Sequence, residues 1–195
     1  MKFTESIKVV VDEHIKNPLQ IANMAKKDLK KQFSGTALGY LWPLIKNMIY
    51  VFAYWFTIQG GLKGTNKGSE APFVGWLAVG LVPWFFIRDT IVPAASSIRK
   101  NRYLVTKTVF PTSIIPTFSV MSGFISSFMF IGVVAIMCIV KGIYPDIYWI
   151  QIIYYAIAAF ILLLAISLTT SALVVVSRDI EFLLKSVIVL VFWVS

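Results

Sequence analysis

The sequence predicts an all-α integral membrane protein, and three observations carry that prediction. Of 195 residues, 58% are apolar and only 14% charged, with a mean hydropathy of +0.79. The apolar residues gather into runs that reach the roughly 20 positions a helix needs to cross the hydrocarbon core. The lysines and arginines fall mainly between those runs, and mostly on one side of them. A soluble domain is nearer half apolar and a quarter charged, so this chain needs lipid as the solvent for much of its surface.

Residues 1–35 form a first unit, a cytoplasmic amphipathic segment with seven lysines and four acids. Phe3, Ile7, Val10, Val11 and Ile15 recur every three or four positions, which gives a helix one apolar face. Asn17-Pro18 breaks and restarts the pattern, as an N-cap followed by proline at the first helical position does. The second stretch sets Leu19, Ala22, Met24, Ala25, Leu29 and Phe33 against Lys26, Lys27, Lys30 and Lys31. The favoured placement is a helix in the headgroup layer with its lysines toward anionic lipid. The alternative is a small extension packed on the rest of the protein.

Residues 36–195 form the membrane unit. Four complete spans are predicted, at about 38–61, 72–98, 113–140 and 149–176. A fifth apolar run begins near Val187 and the sequence stops within it at Ser195. A helix does not end in mid-bilayer with its carbonyls unsatisfied, so a fragment or a truncated product is expected. No signal-peptide pattern precedes the first span. Orientation follows from the basic residues. Thirteen lie in residues 1–35, in the 99–112 loop (Arg99, Lys100, Arg102, Lys107) and after span four (Arg178, Lys185). Only Lys63, Lys67 and Lys141 lie on the other side. The amino terminus is therefore predicted to be cytoplasmic. The net charge of +9 is spread over membrane-flanking segments rather than gathered in one groove, which argues against a nucleic-acid partner.

Three ionisable residues fall inside the spans: Lys46 in the first, Arg88 and Asp89 in the second. Each costs roughly 2.5–3.5 kcal/mol at the bilayer centre on insertion scales. Lys46 lies ~12 Å in from the cytoplasmic start of its span, and Asp89 lies at nearly the same depth. In the simpler arrangement span two ends early, around Pro93, and leaves Arg88 and Asp89 near the interface. In the other, Lys46 and Asp89 face each other or a shared wet cavity. Aromatic residues at Tyr40, Trp42, Trp76, Tyr148 and Trp149 fit an interfacial belt. Trp84-Phe85-Phe86 falls near the middle of span two, where helix packing and a stacking surface in a conduit are equally open readings. Pro83 is placed to kink span two. Ser119, Ser122, Gly123, Ser126 and Ser127 suit close helix packing in span three.

Several chemistries are excluded. Cys138 is the one cysteine and His14 the one histidine, too few for an internal disulfide or a Cys/His zinc site. The run Gly60–Ser69 lacks the Gly-Lys-Ser/Thr order of a phosphate-binding loop and reads as a turn outside the cell. No carboxylate pair and no Ser/His/Asp set can be assembled. His14 reads as a polar-face residue of the first amphipathic helix. Active transport by such a chain would draw its energy from a partner or an ion gradient.

Four stretches carry a resemblance. The run Phe33-Ser34-Gly35-Thr36-Ala37-Leu38-Gly39-Tyr40-Leu41-Trp42 resembles the approach to the first span of ABC-2 type permeases, in the branch that exports O-antigen, capsule or teichoic acid. Val82-Pro83-Trp84-Phe85-Phe86 and Ser177-Arg178-Asp179-Ile180 fit the same pattern. Asn101–Lys107, continuing to Phe110-Pro111 and Pro116, is similar to the family's loop between spans two and three and is the most specific part. The likeness covers nearly the whole chain, with two departures. Pro43 follows Trp42 directly, with Lys46-Asn47 where the family has a further proline. The family also has six spans, of which this chain lacks most of the fifth and all of the sixth.

The resemblance implies a homodimeric channel in the bacterial cytoplasmic membrane, joined to two copies of a separate cytoplasmic ATPase. The amino-terminal amphipathic helices would lie at the interface. The chain itself would bind no cofactor and catalyse nothing, ATP and Mg belonging to the partner. Within the 99–112 loop, Asn101, Arg102, Leu104, Lys107, Phe110 and Pro111, together with Val105 and Val109, would form the coupling or gate element. A glycan carried on a lipid diphosphate would pass along Trp84, Phe85 and Phe86 and the span-one aromatics Tyr50, Tyr54, Trp55 and Phe56. Rival readings are an ABC-2 permease for a small drug or lipid, a membrane-embedded transferase, and a noncatalytic scaffold. The transferase would need a histidine or acidic pair at a membrane face, for which His14 with Asp12 and Glu13 is a poor candidate.

Overall fold

A computed structural model describes residues 3–61, 73–107, 110–140, 142 and 144–194, all of them in helices, turns or short connections. The helices are α1 (Phe3–Lys16), α2 (Pro18–Phe33), α3 (Trp42–Gly61), α4 (Phe73–Ala95), α5 (Ser97–Lys100), α6 (Arg102–Lys107), α7 (Ile114–Val140), α8 (Ile150–Val176) and α9 (Asp179–Val194). The Gly-rich linker after α3, with Lys63 and Lys67, lies outside the described residues, as do Val109 and Lys141.

The break between α1 and α2 falls at Asn17-Pro18, with Pro18 in the first turn of α2. Its cap differs from the expected one. Asn17 has φ −125° and ψ 41° and makes no side-chain bond forward into α2. Its Nδ2 instead donates back to the Glu13 carbonyl at 2.9 Å, closing the end of α1. Proline at that position removes one of the orphan N–H groups a cap would serve.

Among the described residues, three helices are long and apolar enough to cross a membrane: Leu77–Ala95, Ile114–Val140 and the stretch Ile147–Val176 that ends with α8. They match the second, third and fourth predicted spans closely, and the chain is an all-α membrane protein. Where the first span is expected, α3 forms but begins at Trp42, not Leu38. Residues Gly39–Leu41 make a 3-10 turn entered through Gly35 and Gly39, both at positive φ, a backbone region glycine enters at least cost. Pro43 sits in the first turn of α3, where a missing N–H costs nothing. With Lys46 and Asn47 in its second turn, α3 falls short of the other three in apolar composition.

The hub of the bundle is α4, which packs on α3, α7, α8 and α9. It does so although Pro83 and Pro93 lie inside it. The core divides by depth. Away from the amino-terminal helices, Val51, Leu77, Leu81, Phe85, Phe130 and Val134 join α3, α4 and α7. Deeper toward them, Phe86, Ile91, Val120, Leu163 and Ile188 join α4, α7, α8 and α9. At the membrane face of α2, Ala25 packs on Ile114, Ile115 and Phe118 of α7. Thus α2 spends its apolar stripe on protein, whereas α1 and the start of α2 leave Val9, Val11, Ile15 and Leu19 exposed. The outward faces of α8 and α9 are mostly apolar, including Ile153, Ile157, Ile161, Leu183 and Leu190, as lipid contact requires.

Candidate functional site

The intramembrane charges form one network. Lys46 on α3 donates to Asp89 Oδ2 on α4 at 2.9 Å. Arg88 Nε donates to the other carboxylate oxygen, also at 2.9 Å, and Arg88 Nη2 to Asn47 Oδ1 at 3.2 Å. The guanidinium lies over the rings of Tyr50 and Phe85, 4.4 and 4.8 Å from their centroids, which offsets part of its desolvation. Of the two arrangements open to the sequence, the facing of Lys46 and Asp89 is present. Asp89 is ~9 Å along the axis from the end of α4 at Ala95 and also pairs with Lys46. One carboxylate shared by two cations offsets part of the cost of burying them and leaves the trio net positive, which fits its partial exposure.

This network forms one wall of a cavity of about 540 Å³ enclosed by α2, α3, α4, α5 and α7. Asp28 and Lys31 of α2, and Ser97, Lys100 and Asn101 of the connection after α4, line it as well. The small residues Ser119, Gly123, Ser126 and Ser127 of α7 open the space. They combine two roles, because Gly123 also meets α4. A Cβ added there would stand 2.4 Å from Thr90 Oγ1. Asp28 accepts hydrogen bonds from Ser122 at 2.8 Å and from Gln32 at 3.1 Å. Ser97 Oγ is buried and has no hydrogen-bond partner among the described residues, as is true of Thr90 Oγ1.

The loop resembling a coupling element is two short helices, α5 and α6, that the structure sorts by side chain. Asn101 joins them. Its Nδ2 donates to the Ser97 carbonyl at 3.0 Å, and its own carbonyl accepts from Leu104 N at 2.9 Å. Leu104 and Phe110 turn inward onto the cluster of α2 and α7, so they anchor the loop rather than reach outward, and Pro111 is half-buried beside them. Arg102, Val105 and Lys107 are exposed, as is Tyr103. Tyr103 lies inside the quoted motif yet was not singled out from sequence.

Of the seven aromatics proposed as a path, Phe56 is exposed and the other six divide likewise. Phe85 and Phe86 are buried helix-packing residues, edge-on to Phe130 and Phe124, and show no face to a ligand. Trp84 stacks on Phe192 at 5.0 Å, Tyr54 packs on the same ring at 5.3 Å, and Trp55 tilts against Phe52. These three keep partial exposure, and Tyr50 is exposed.

Sequence reasoning missed two further groups. Arg99 of α5 pairs with Glu181 at the start of α9, and Lys185 donates to the same carboxylate at 3.0 Å. The Lys185 hydrogen bond holds the Glu181 carboxyl below the usual range; burial opposes it, and the charges of Arg99, Lys185 and Lys100 add to it. On α1, His14 bridges the Val10 carbonyl and Thr117 Oγ1, both at 2.6 Å, while Glu13 accepts from Ser113. With Nδ1 facing a carbonyl, that nitrogen donates, and the Thr117 hydroxyl beside Nε2 also donates to the Ser113 carbonyl at 3.2 Å. His14 thus ties α1 to α7 and is not simply a solvated polar-face residue. The pairs Arg99–Glu181, His14–Thr117 and Glu13–Ser113 are far apart in sequence and have no local signature. Among the described residues no group of His, Cys, Asp and Glu is arranged to hold a metal.

Comparison with known proteins agrees with the motifs. Two O-antigen export system permease proteins RfbA from Klebsiella pneumoniae are each 28% identical to the chain over 171 residues, 87% of it and 64% of their own length. One from Myxococcus xanthus is 23% identical over 181 residues, 90% of the chain and 66% of its own length. The chain thus spans just under two thirds of the length of these curated relatives. No protein-family model matches it. Over most of its length the chain is similar to these O-antigen export permeases, in agreement with the resemblance its motifs carry to polysaccharide-exporting ABC-2 type permeases.

Proposed function

We propose that the chain is the membrane-spanning part of an ABC exporter that moves a lipid-linked polysaccharide or teichoic acid across the bacterial cytoplasmic membrane, amino terminus inside. The observation that carries this reading is the 28% identity to O-antigen export permeases over 87% of the chain. In this reading two copies form the conduit, and a separate cytoplasmic ATPase binds ATP and Mg and supplies the energy.

The geometry supports a coupling role for α5 and α6. Exposed Arg102, Tyr103, Val105 and Lys107 offer an apolar and cationic surface to an ATPase groove. Leu104 and Phe110 root it in the bundle, and Arg99–Glu181 ties it to α9. Displacement of the loop by the partner is then passed to two sides of the bundle at once. For the glycan, Tyr50, Tyr54, Trp55 and Trp84 retain exposed ring surface suited to the C–H faces of sugars or to a lipid chain.

The test is co-purification of the chain with a cytoplasmic ABC ATPase from the same genome, followed by ATPase assay in lipid. Binding is expected, and replacing Arg102 and Tyr103 together by alanine is expected to weaken it at least fivefold while the permease still folds. A full-length permease that neither binds nor stimulates the ATPase would overturn the exporter reading. Stimulation by small amphiphiles but not by lipid-linked glycan would replace it with a drug or lipid permease.

A further inference from the structure

Most polar groups around the cavity are already spent on one another. Both carboxylates are used internally: Asp89 by Lys46 and Arg88, Asp28 by Ser122 and Gln32. The unspent groups are donors. Lys31 of α2 and Lys100 of α5 both line the cavity, and neither makes an ion pair or side-chain hydrogen bond among the described residues. Lys100 acts on Glu181 only through longer-range charge. Lys46 has one of its three N–H donors on Asp89. Ser97 lines the same cavity, is 2% exposed, and its hydroxyl has no partner among the described residues. A buried hydroxyl left unsatisfied costs on the order of 1–3 kcal/mol, so its persistence beside unspent cations points to a missing acceptor.

We propose that this cavity binds a phosphate group, presented by the headgroup of a membrane lipid. Phosphate supplies what the lining lacks: negative charge and several strong acceptor oxygens for the ammonium groups of Lys31, Lys46 and Lys100 and for the Ser97 hydroxyl. A monovalent carboxylate would meet fewer of these donors. The depth fits a lipid source. The cavity lies beneath α2, whose Lys26, Lys27 and Lys30 are exposed, and α2 packs on the first turns of α7 at the membrane face. Phe33 and Trp42 at the cavity wall give an acyl chain apolar contact beside the charged pocket, and tryptophan favours that boundary. The enclosed space suits a headgroup with a few waters. The site lies within one copy of the chain and does not depend on what the protein exports.

Lipid binding to the full chain in detergent, followed by native mass spectrometry, tests this without an ATPase or a transport assay. Phosphatidylglycerol is the probe, and diacylglycerol with the same tails and inorganic phosphate are the comparators. Phosphatidylglycerol is expected to bind, diacylglycerol not to, and millimolar inorganic phosphate not to displace it. S97A removes no protein hydrogen bond and is expected to weaken binding several-fold. K31Q/K100Q is expected to weaken it roughly tenfold, the scale of losing charged hydrogen bonds. K26Q/K27Q, which removes the same charge from α2 outside the cavity, is expected to stay within about twofold. Equal binding of diacylglycerol, or an equal loss in K26Q/K27Q and K31Q/K100Q, would overturn the proposal. So would unchanged binding in both S97A and K31Q/K100Q. Displacement by inorganic phosphate would overturn the lipid source and leave a soluble anion as the ligand.

Discussion

Asp89 is the residue on which the intramembrane charges converge, since it accepts from Lys46 and Arg88 together. Its side chain is 26% exposed and that of Lys46 43%, so the pair is partly wet and its net worth is moderate. Asp89→Asn strands two cations, whereas Lys46→Met leaves Asp89 with Arg88. The first is therefore expected to destabilise more, and a thermal-unfolding double-mutant cycle is expected to give a coupling of about 0.5–2 kcal/mol. Additivity would mean that the two side chains do not act as a pair. Glu181 makes a second residue-scale prediction. Its folded pKa is depressed, so its contribution is fully present above the unfolded carboxylate value of about 4.3 and is lost as pH falls through the lower folded value. The melting difference between wild type and Glu181→Gln should hold from pH 7 to 5 and shrink as pH is lowered below about 4. A constant difference would show that the carboxylate charge is not what stabilises the contact.

At the scale of elements, the contact of α4 with α7 is set by one glycine. A methyl at Gly123 would lie 2.4 Å from Thr90 Oγ1 and 3.0 Å from its Cβ and Cγ2, and Thr90 is buried. Gly123→Ala is expected to cost about 1–3 kcal/mol by overpacking, seen as a lower melting temperature, with Thr90→Ala recovering part of it. No recovery would place the strain elsewhere. The elements themselves were largely legible. Long apolar runs bounded by charges located α4, α7 and α8 to within a few residues, because a bilayer imposes length and composition together. The start of α3 was less legible, since Leu38–Leu41 is apolar enough for a span but is turned by Gly35 and Gly39 at positive φ. Within the site, Lys46 and Asp89 were visible as costly charges at matched depth. Ser97, Asn47 and Glu181 were not, because a serine or asparagine near a span end has no periodic or charge signal until the fold supplies its neighbours. The conduit aromatics show the converse: Phe85 and Phe86 have the composition of a stacking surface, yet the fold uses them for packing.

For the whole molecule, the pairing of Lys46 with Asp89 bears on how the protein enters the membrane during synthesis. Lys46 and Asn47 sit in the second turn of α3, and the counter-ion lies 43 residues further along the chain. When α3 leaves the ribosome its ammonium has no mate, and its apolar content is below that of the later spans. Such a segment partitions poorly by itself and gains a neutralised neighbour only once α4 has been made. The two helices should therefore settle into lipid as a hairpin, with α3 waiting at the translocon. In a glycosylation-mapping assay, a nascent chain ending before α4 should integrate α3 inefficiently, and extension through Ala95 should raise that integration. Asp89→Asn should blunt the gain and Lys46→Leu should make α4 unnecessary. Efficient integration of the short chain would mean that the charge is tolerated alone. Inefficient integration of the short chain would instead make the ion pair a timing device, setting the order in which the first two helices become membrane-resident.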